Sequence, residues 1–379
     1  MPDFVGGRAR VLTVLAIDQA RQSTLGSMPN PRVGCILSTT NGSILGIGHT
    51  QRTGGPHAEI MALRDAAQRG HSVQGATAYV TLEPCSHHGR TGPCCDALIA
   101  AGIRKVVASI ADPNPLVSGQ GFARLRAAGV EVEIGPGAAE SRELNIGFFS
   151  RMIRKTPWVR TKIAASLDGR TALSNGRSQW ITSEPARRDG HAWRARSCAV
   201  LTGIGTVLAD DPRLDVRLLE TPRQPHLVVV DSRLDTPLDA QLFIAGRSLF
   251  IYCAVENAAK QAALQARGAT VVHLPRKNPD STPSRQVDLA AMLGDLAARE
   301  VNEVHLEAGQ ALNGALMRAG LIDELVLYLA PKLIGQGLGM ADFGPLQELA
   351  QALPLQFMST EMIGPDLRIV ARVAGRDQF

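Results

Sequence analysis

Short apolar runs, separated by glycine, proline and asparagine, recur along most of this chain, and several of the stretches between them read as helices. Val33 to Ser38 and Ser43 to Gly48 flank Asn41-Gly42. Asn-Gly between two such runs predicts a hairpin, since both residues tolerate the positive φ of a tight turn. His57 to Gln68 predicts a helix closed by Gly70. The alternation continues with a strand at Ala76 to Leu82, a helix at Cys94 to Ala101 ended by Gly102, and a strand at Lys105 to Ile110. A helix near Gly121 to Ala128 stops at Gly129, before a strand at Val130 to Ile134. Strands alternating with helices predict a layered α/β domain.

Gly135-Pro136-Gly137 marks a turn, followed by a predicted helix over Ala138 to Phe149 and a basic segment, Arg151 to Lys155. Pro157 then precedes a strand at Trp158 to Ala164. A domain boundary is expected near residue 150, giving domains 1–150 and 151–379, and a chain of 379 residues is long enough for both. The second half repeats the α/β rhythm. Its clearest strands are Ala199 to Leu201, His226 to Val230, Ser248 to Tyr252, Thr270 to His273, Glu303 to Glu307 and Glu324 to Leu329. The polar stretch Pro275 to Gln286 reads as a surface loop. No internal repeat is visible, so the two halves are expected to be different folds with different tasks.

Composition narrows the function classes. Aromatic residues are only 4% of the chain, and no run of five cations occurs, which argues against a nucleic-acid surface. The net charge of +5 is enough for a phosphorylated small molecule, which needs only a few cations. No apolar run approaches the roughly 18 residues of a membrane span. The N-terminal residues lack a signal-peptide core, so the cytoplasm is the expected compartment. Six cysteines are too few for a disulfide scaffold in a chain this long. Cys35, Cys198 and Cys253 lie inside apolar runs and read as small core residues, whereas Cys85, Cys94 and Cys95 crowd into one histidine-containing stretch.

That stretch carries the candidate chemistry. His57-Ala58-Glu59 opens a predicted helix, and Glu83-Pro84-Cys85 follows a strand. A His ligand with Glu two residues on, then Pro-Cys and a further Cys, is the layout of the zinc deaminases. Neutral imidazole and two thiolates hold zinc tetrahedrally and leave one position for water, whose pKa falls towards about 7. Glu59 is then the candidate proton shuttle. For the third ligand two closures stay open: His88, at the common Cys-x-x-Cys spacing, or Cys94, after a longer loop. Pro93-Cys94 repeats Pro84-Cys85 at a helix start and favours Cys94, with Cys95 pointing into the core. A structural zinc site usually closes with four protein ligands, and a fourth is not required by this pattern.

The run from Thr81 through Glu83-Pro84-Cys85-Ser86-His87-His88-Gly89-Arg90-Thr91-Gly92-Pro93 to Cys94-Cys95 resembles the signature of the bifunctional deaminase–reductases of riboflavin biosynthesis. Pro29-Asn30-Pro31-Arg32-Val33-Gly34-Cys35, Asp112-Pro113-Asn114-Pro115, Ala165 to Thr171, Ser178 to Thr182, Val207 to Pro212, Glu307-Ala308-Gly309 and Ala330 to Gly335 extend the match over almost the whole chain. The resemblance implies an N-terminal cytidine-deaminase-like domain that removes the 2-amino group of a diaminopyrimidinone ribosyl phosphate. It further implies a C-terminal dihydrofolate-reductase-like domain that uses NADPH to reduce the ribosyl group to a ribityl chain. Asn30, Asp112 and Asn114 would then line the deaminase pocket. In one departure from the family pattern, Thr50 occupies a slot that holds His in relatives, and His49 stands beside it.

Read without the resemblance, the second half says less. Gly203-Ile204-Gly205 is only a partial echo of a dinucleotide fingerprint. The strand ending at Glu307, followed by Gly309 and a helix starting near Ala311, offers bare N–H groups that suit a phosphate, but equally fits an ordinary connection. With the resemblance, Gly309, Gln310, Ala311, Leu312, Asn313, Gly314 and Ala315 correspond to the cofactor pyrophosphate loop, and Ala164, Trp180, Thr206, Asp210 and Ser232 to other cofactor contacts. Ser178, Arg194, Leu214, Arg217 and Glu307 correspond to substrate positions. Arg194 and Arg217 are expected as clamps on the substrate phosphate, with Lys162 as a further candidate. Asp168 is read either as a contributor to reduction or as a turn residue. The expected partner is a phosphorylated pyrimidine, with no nucleic acid or membrane, and the chain is expected to be a homo-oligomer binding Zn2+ and NADPH. The rivals are a deaminase with an inactive second half, an RNA-binding relative and a structural-zinc protein.

Overall fold

The computed structural model describes residues 3–87, 92–115, 117–277 and 283–379. It divides into two compact units, Met1–Arg154 and Lys155–Phe379. The first unit opens with helix α1 (Asp3–Arg21), followed by β1 (Gly34–Ser38), β2 (Ile44–His49), α2 (Ala58–Gln68), β3 (Thr77–Val80) and α3 (Cys94–Ala100). Then come β4 (Lys105–Ala108), α4 (Gln120–Ala127), β5 (Glu131–Ile134), α5 (Ala138–Leu144) and α6 (Ile146–Arg154). Its five strands form one sheet in the order β2-β1-β3-β4-β5, with β1 antiparallel to both neighbours and β3, β4 and β5 parallel.

β1 is buried along its whole length because helices cover both sheet faces. On one face Leu12 and Ala16 of α1 pack against Ile36, Tyr79 and Val107. On the other, Gly46 and Gly48 let α2 approach the backbone of β2. A Cβ at Gly48 would lie 2.3 Å from the Ala58 carbonyl oxygen, and one at Gly46 2.3 Å from that of Ala62. A side chain at Gly48 would therefore displace the turn of α2 that carries Glu59.

Two features differ from the sequence expectation. Helix α1 is not signalled by the pattern read above, and the single helix expected over Ala138 to Phe149 is two helices meeting at Asn145. The Asn145 carboxamide accepts from the Arg32 N–H (2.7 Å) and donates to the Arg32 carbonyl (2.9 Å), in place of a regular helical turn. This side chain bonds a distant backbone segment, so local spacing carries no sign of it.

The second unit runs β6 (Trp158–Ser166), β7 (Arg170–Leu173), α7 (Glu184–Arg196), β8 (Ala199–Gly203), α8 (Ile204–Asp210), β9 (His226–Val230), β10 (Leu249–Cys253), α9 (Ala258–Ala266) and β11 (Ala269–His273). It continues with β12 (Pro275–Lys277), β13 (Pro283–Val287), α10 (Leu289–Ala298), β14 (Glu303–Leu306), α11 (Gln310–Arg318), β15 (Glu324–Ala330), β16 (Gly337–Gly339), β17 (Leu355–Ile363) and β18 (Asp366–Val373). Nine strands form one sheet in the order β11-β10-β9-β8-β14-β6-β15-β18-β17, parallel except at its last two pairings, where β18 runs antiparallel to both β15 and β17. Pro275 to Gln286, expected as a loop, contributes two strands of an antiparallel hairpin.

The chain winds outward from β8 to β11 and then returns to insert β14 between β8 and β6. Connections leaving β8, β14 and β6 therefore diverge, opening a crevice at the carboxyl ends of these strands, the usual ligand position in open α/β sheets. On β6, Arg160 is wholly buried between Glu324 (2.5 Å) and Glu303 (2.9 Å), with the Trp193 ring 4.9 Å from its guanidinium carbon.

Candidate active sites

In the first unit, α2 begins at His57 and α3 at Cys94, so two helix N-termini converge on the loop after β3 that carries Cys85. One donor atom from each of His57, Cys85 and Cys94 lies within 4.8 Å of the others. His57 Nδ1 is 3.6 Å from Cys85 Sγ and 3.3 Å from Cys94 Sγ, and the Cys94 N–H donates to Cys85 Sγ at 3.3 Å. The hydrogen bond with Cys94 pushes the Cys85 thiol down to about 4, while the same contact and burial push Cys94 up. One imidazole and two thiols, one of them readily ionised, form a donor set suited to zinc. Cys95 turns away and its thiol donates to the carbonyl oxygens of Pro84 (3.2 Å) and Gly121 (3.5 Å). His88, the other candidate third ligand, lies outside the described residues, and His87 is exposed.

Glu59 is buried beside this cluster at 3% exposure. Burial, reinforced by the Cys85 charge, raises its carboxyl to about 7. Asp112 is likewise raised to about 7 by burial, and its Oδ1 accepts the Asn114 N–H at 2.7 Å. Asn30 is half-buried in the loop before β1, where its N–H bonds the Ser27 carbonyl at 2.9 Å. The Thr50 hydroxyl accepts the Val33 N–H at 3.2 Å, which gives it a local structural bond, while burial lowers His49.

Glu83 carries a role the sequence reading did not assign. Its carboxylate accepts backbone N–H groups from Asp112 (3.2 Å), Gly119 (3.0 Å), Gly121 (2.9 Å) and Phe122 (3.3 Å). It thereby ties the Pro84-Cys85 loop to the start of α4. A Cβ at Gly121 would sit 2.1 Å from the Pro84 carbonyl, so glycine is required there. An acidic residue directly before Pro-Cys was the available signal.

In the second unit, Glu307 leaves β14 and pairs bidentately with Arg194 of α7, through Nε to Oε1 and through a 2.9 Å bond to Oε2. Burial would raise this carboxyl, but the guanidinium outweighs it and holds Glu307 well below the usual range. His305 Nε2 is 3.4 Å from Glu307 Oε1, and Arg194 also donates to the Asp215 carbonyl (2.9 Å). Arg217 pairs with Asp215 at 2.7 Å with half its side chain exposed. Lys162 projects from β6 with Nζ 5.6 Å from the Tyr328 ring centre, and burial lowers its pKa against the opposing pull of Glu307. The structure thus groups Arg194, Glu307, Arg217 and Lys162, and fills the Arg194 fork with a carboxylate.

The cofactor candidates separate by face. Asn313 is buried and donates to the Ala308 and Met340 carbonyls (3.2 and 3.0 Å), and Gly314 abuts the Asp342 carbonyl, where a Cβ would lie at 1.8 Å. Gln310 accepts the Gly339 N–H at 3.0 Å. Gly309 and Ala311 are exposed at the start of α11, and Leu312 and Ala315 line a cleft with Ser232. Trp180 is 63% exposed with the Arg187 guanidinium 4.5 Å from its ring centre. Asp210 is exposed, Ala164, Ser178 and Thr206 are half-buried, and Leu214 is buried in a left-handed conformation (φ 50°). Asp168 accepts from Ser166 (2.5 Å), Ile334 N–H (3.0 Å) and Gly335 N–H (2.7 Å), which hold it at about 2 and favour the turn role.

The family described as the cytidine and deoxycytidylate deaminase zinc-binding region matches residues 8–110, and the RibD C-terminal domain family matches residues 157–369. The riboflavin biosynthesis protein RibD of Escherichia coli is 43% identical over 355 residues, 93% of this chain and 96% of that protein. The RibD of Aquifex aeolicus is 38% identical, with 94% and 96% covered. Among solved structures, Acinetobacter baumannii RibD superposes with a TM-score of 0.87 at 37% identity, covering 97% of this chain and 99% of that one. A Thermotoga maritima diaminohydroxyphosphoribosylaminopyrimidine deaminase/5-amino-6-(5-phosphoribosylamino)uracil reductase gives 0.83 at 30% identity, with 97% and 99% covered.

Proposed function

The chain belongs to the RibD family, the bifunctional deaminase–reductases of riboflavin biosynthesis, and from that premise we propose how its residues divide the two reactions. Deamination is assigned to residues 1–150 and reduction to residues 151–379. The convergence of His57, Cys85 and Cys94 beside a buried Glu59 is the observation that carries the first assignment.

His57, Cys85 and Cys94 hold zinc in this reading. Zinc, when bound, supplies Lewis-acid activation of a water molecule near neutral pH. Glu59, with a carboxyl raised to about 7, can accept the proton of the attacking water and pass it to the ring nitrogen and the departing ammonia. Asp112, Asn114 and Asn30 are assigned to the pyrimidine pocket. Glu83 positions the Cys85 loop without touching the reacting atoms.

In the second unit NADPH is the proposed hydride donor, with its pyrophosphate at the start of α11 and Ala164, Trp180, Thr206, Asp210 and Ser232 along its length. Arg194, Glu307, Ser178, Leu214 and Arg217 are assigned to the ribosyl phosphate substrate. The half-exposed Arg217 has the freer guanidinium for a phosphate, and Arg194 acts by holding Glu307 in place.

A coupled assay with the diaminopyrimidinone ribosyl phosphate tests both halves. The full chain is expected to release ammonia and oxidise NADPH, and Glu59→Gln to retain zinc with ammonia release about 10²–10⁴-fold slower. Undiminished ammonia release in that variant would remove Glu59 from the mechanism. Ammonia release by the full chain without NADPH oxidation would remove the reductase half.

A homo-oligomer is also proposed, supported by edge strand β17, where Phe357 and Met362 are 68% and 64% exposed. Sedimentation equilibrium is expected to give a mass above one chain, and a single-chain mass at working concentration would count against it. Among the described residues no helix is long and apolar enough to cross a membrane. The cytoplasm remains the proposed compartment, supported by six cysteines that are all free thiols. Recovery in the cytoplasmic fraction of disrupted cells is the expected result.

A further inference from the structure

β14 runs through the middle of the second sheet, with β8 on one side and β6 on the other. Side chains alternate between the two faces of a strand, so Glu303, His305 and, just past the strand end, Glu307 form one row. Glu303 and His305 are wholly buried, and only Glu307 opens towards the crevice. Both carboxylates of the row have cations. Glu303 pairs with Arg160 at 2.9 Å and Arg196 at 3.4 Å, and Glu307 fills the Arg194 fork. His305, between them, differs: among the described residues neither of its ring nitrogens makes a well-formed hydrogen bond.

A donor left unpaired at this depth costs stability, and an apolar ring would fill the same space without that cost. Burial lowers the His305 pKa, so the imidazole is neutral and has one N–H to donate. Of the charged groups that act on it, Arg160 and Arg194 can only donate, which leaves Glu307 as the acceptor. Nε2 lies 3.4 Å from Glu307 Oε1, slightly beyond a formed hydrogen bond. Arg194 reaches both carboxylate oxygens from α7, but a carboxylate offers about four lone-pair sites, so Oε1 keeps one for a second donor. Contacts of this kind are often long before substrate is bound and tighten on binding.

We propose that His305 is a positioning residue for the reduction, whose Nε2–H holds Glu307 Oε1 from the strand while Arg194 holds the carboxylate from α7. A carboxylate gripped by one fork can still pivot about it, and a second donor on a rigid central strand fixes its aim into the crevice. His305 acts through Glu307 and does not itself touch the substrate. The inference rests on the reading that Glu307 meets the ribosyl phosphate substrate.

The test is steady-state NADPH oxidation by the full chain supplied with 5-amino-6-(5-phosphoribosylamino)uracil, in wild type, His305→Phe, His305→Gln and Glu307→Gln, with urea unfolding of each. His305→Phe is expected to lower kcat about 10-fold with KM little changed, since small misplacements of a group at the reacting centre act mainly on the transition state. Its unfolding midpoint should be unchanged or higher, because an unpaired buried donor has been removed. His305→Gln, which keeps an N–H in reach of Oε1, should recover most of the lost kcat. A wild-type kcat in His305→Phe, or no recovery in His305→Gln, would overturn the proposal. A fall in kcat that comes with a lower unfolding midpoint would make His305 a support of the fold and overturn it too. If Glu307→Gln is slow while His305→Phe is not, the Glu307 reading stands and the role of His305 falls. Undiminished turnover in Glu307→Gln would remove both.

Discussion

The two candidate sites of this protein are assembled from different materials. The centre in the first unit consists of scarce residue types: an imidazole and a thiol at two helix starts and a second thiol on the loop after β3, with a carboxyl buried beside them. The crevice in the second unit uses residues common everywhere, namely arginine, glutamate, serine and glycine, at the ends of strands far apart in the chain. A metal requires particular donor atoms, and few positions can supply them. A dinucleotide is held largely by backbone N–H groups and shape, which many sequences supply. The first kind of site is therefore visible from residue identity, and the second only from where the sheet places its strand ends.

Three measurements would break or sharpen that contrast. The largest effect is expected from Cys94→Ala, which should lose both bound zinc and ammonia release while leaving NADP+ binding intact. Metal analysis beside calorimetry checks this, and full retention of zinc would transfer the third ligand to another residue, with His88 the first to examine. The next is Arg194→Leu, which removes the partner of a Glu307 carboxylate whose side chain is only 15% exposed. Breaking such a pair should lower the unfolding free energy of the second unit by about 3–5 kcal/mol. Urea unfolding followed by fluorescence would show it, and wild-type stability in the variant would deny the pair any role in holding the crevice.

The smallest effect concerns His191, which burial, followed by the Arg194 and Arg217 charges, lowers from 6.5 to about 4. The unfolded chain takes up this proton first as the pH falls. Its contribution to stability is therefore complete above about 6.5, declines between 6.5 and 4, and levels off below. His191→Gln should remove that part of the slope when unfolding is measured across this window. An identical slope in the variant would assign the acid sensitivity to other groups.

Much of the first unit was legible. The Asn41-Gly42 hairpin, the helix entered at His57 and the one beginning at Cys94 all follow from turn chemistry and apolar spacing, and the structure has them within a residue or two. Helix α1 was not, nor was the break at Asn145, which depends on hydrogen bonds to Arg32 more than a hundred residues away. In the second unit the buried parallel strands His226–Val230 and Leu249–Cys253 stand out as continuous apolar runs. The β12–β13 pair was hidden inside a polar stretch, because those strands are set by antiparallel pairing with each other and show no apolar alternation in the sequence.

The sequence by itself determined the chemistry available: which side chains can ligate a metal, shuttle a proton or meet a phosphate, and in what order along the chain. Covalent identity and local spacing are properties of short segments, and short segments are what a sequence displays directly. The tertiary structure decided which groups meet and which are already occupied. It fills the Arg194 fork with Glu307, spends Glu83 on four backbone N–H groups and turns Cys95 away from its neighbours. Those outcomes depend on burial and long-range pairing, where removing a charge or donor from water costs enough that its partner must be supplied from elsewhere in the fold.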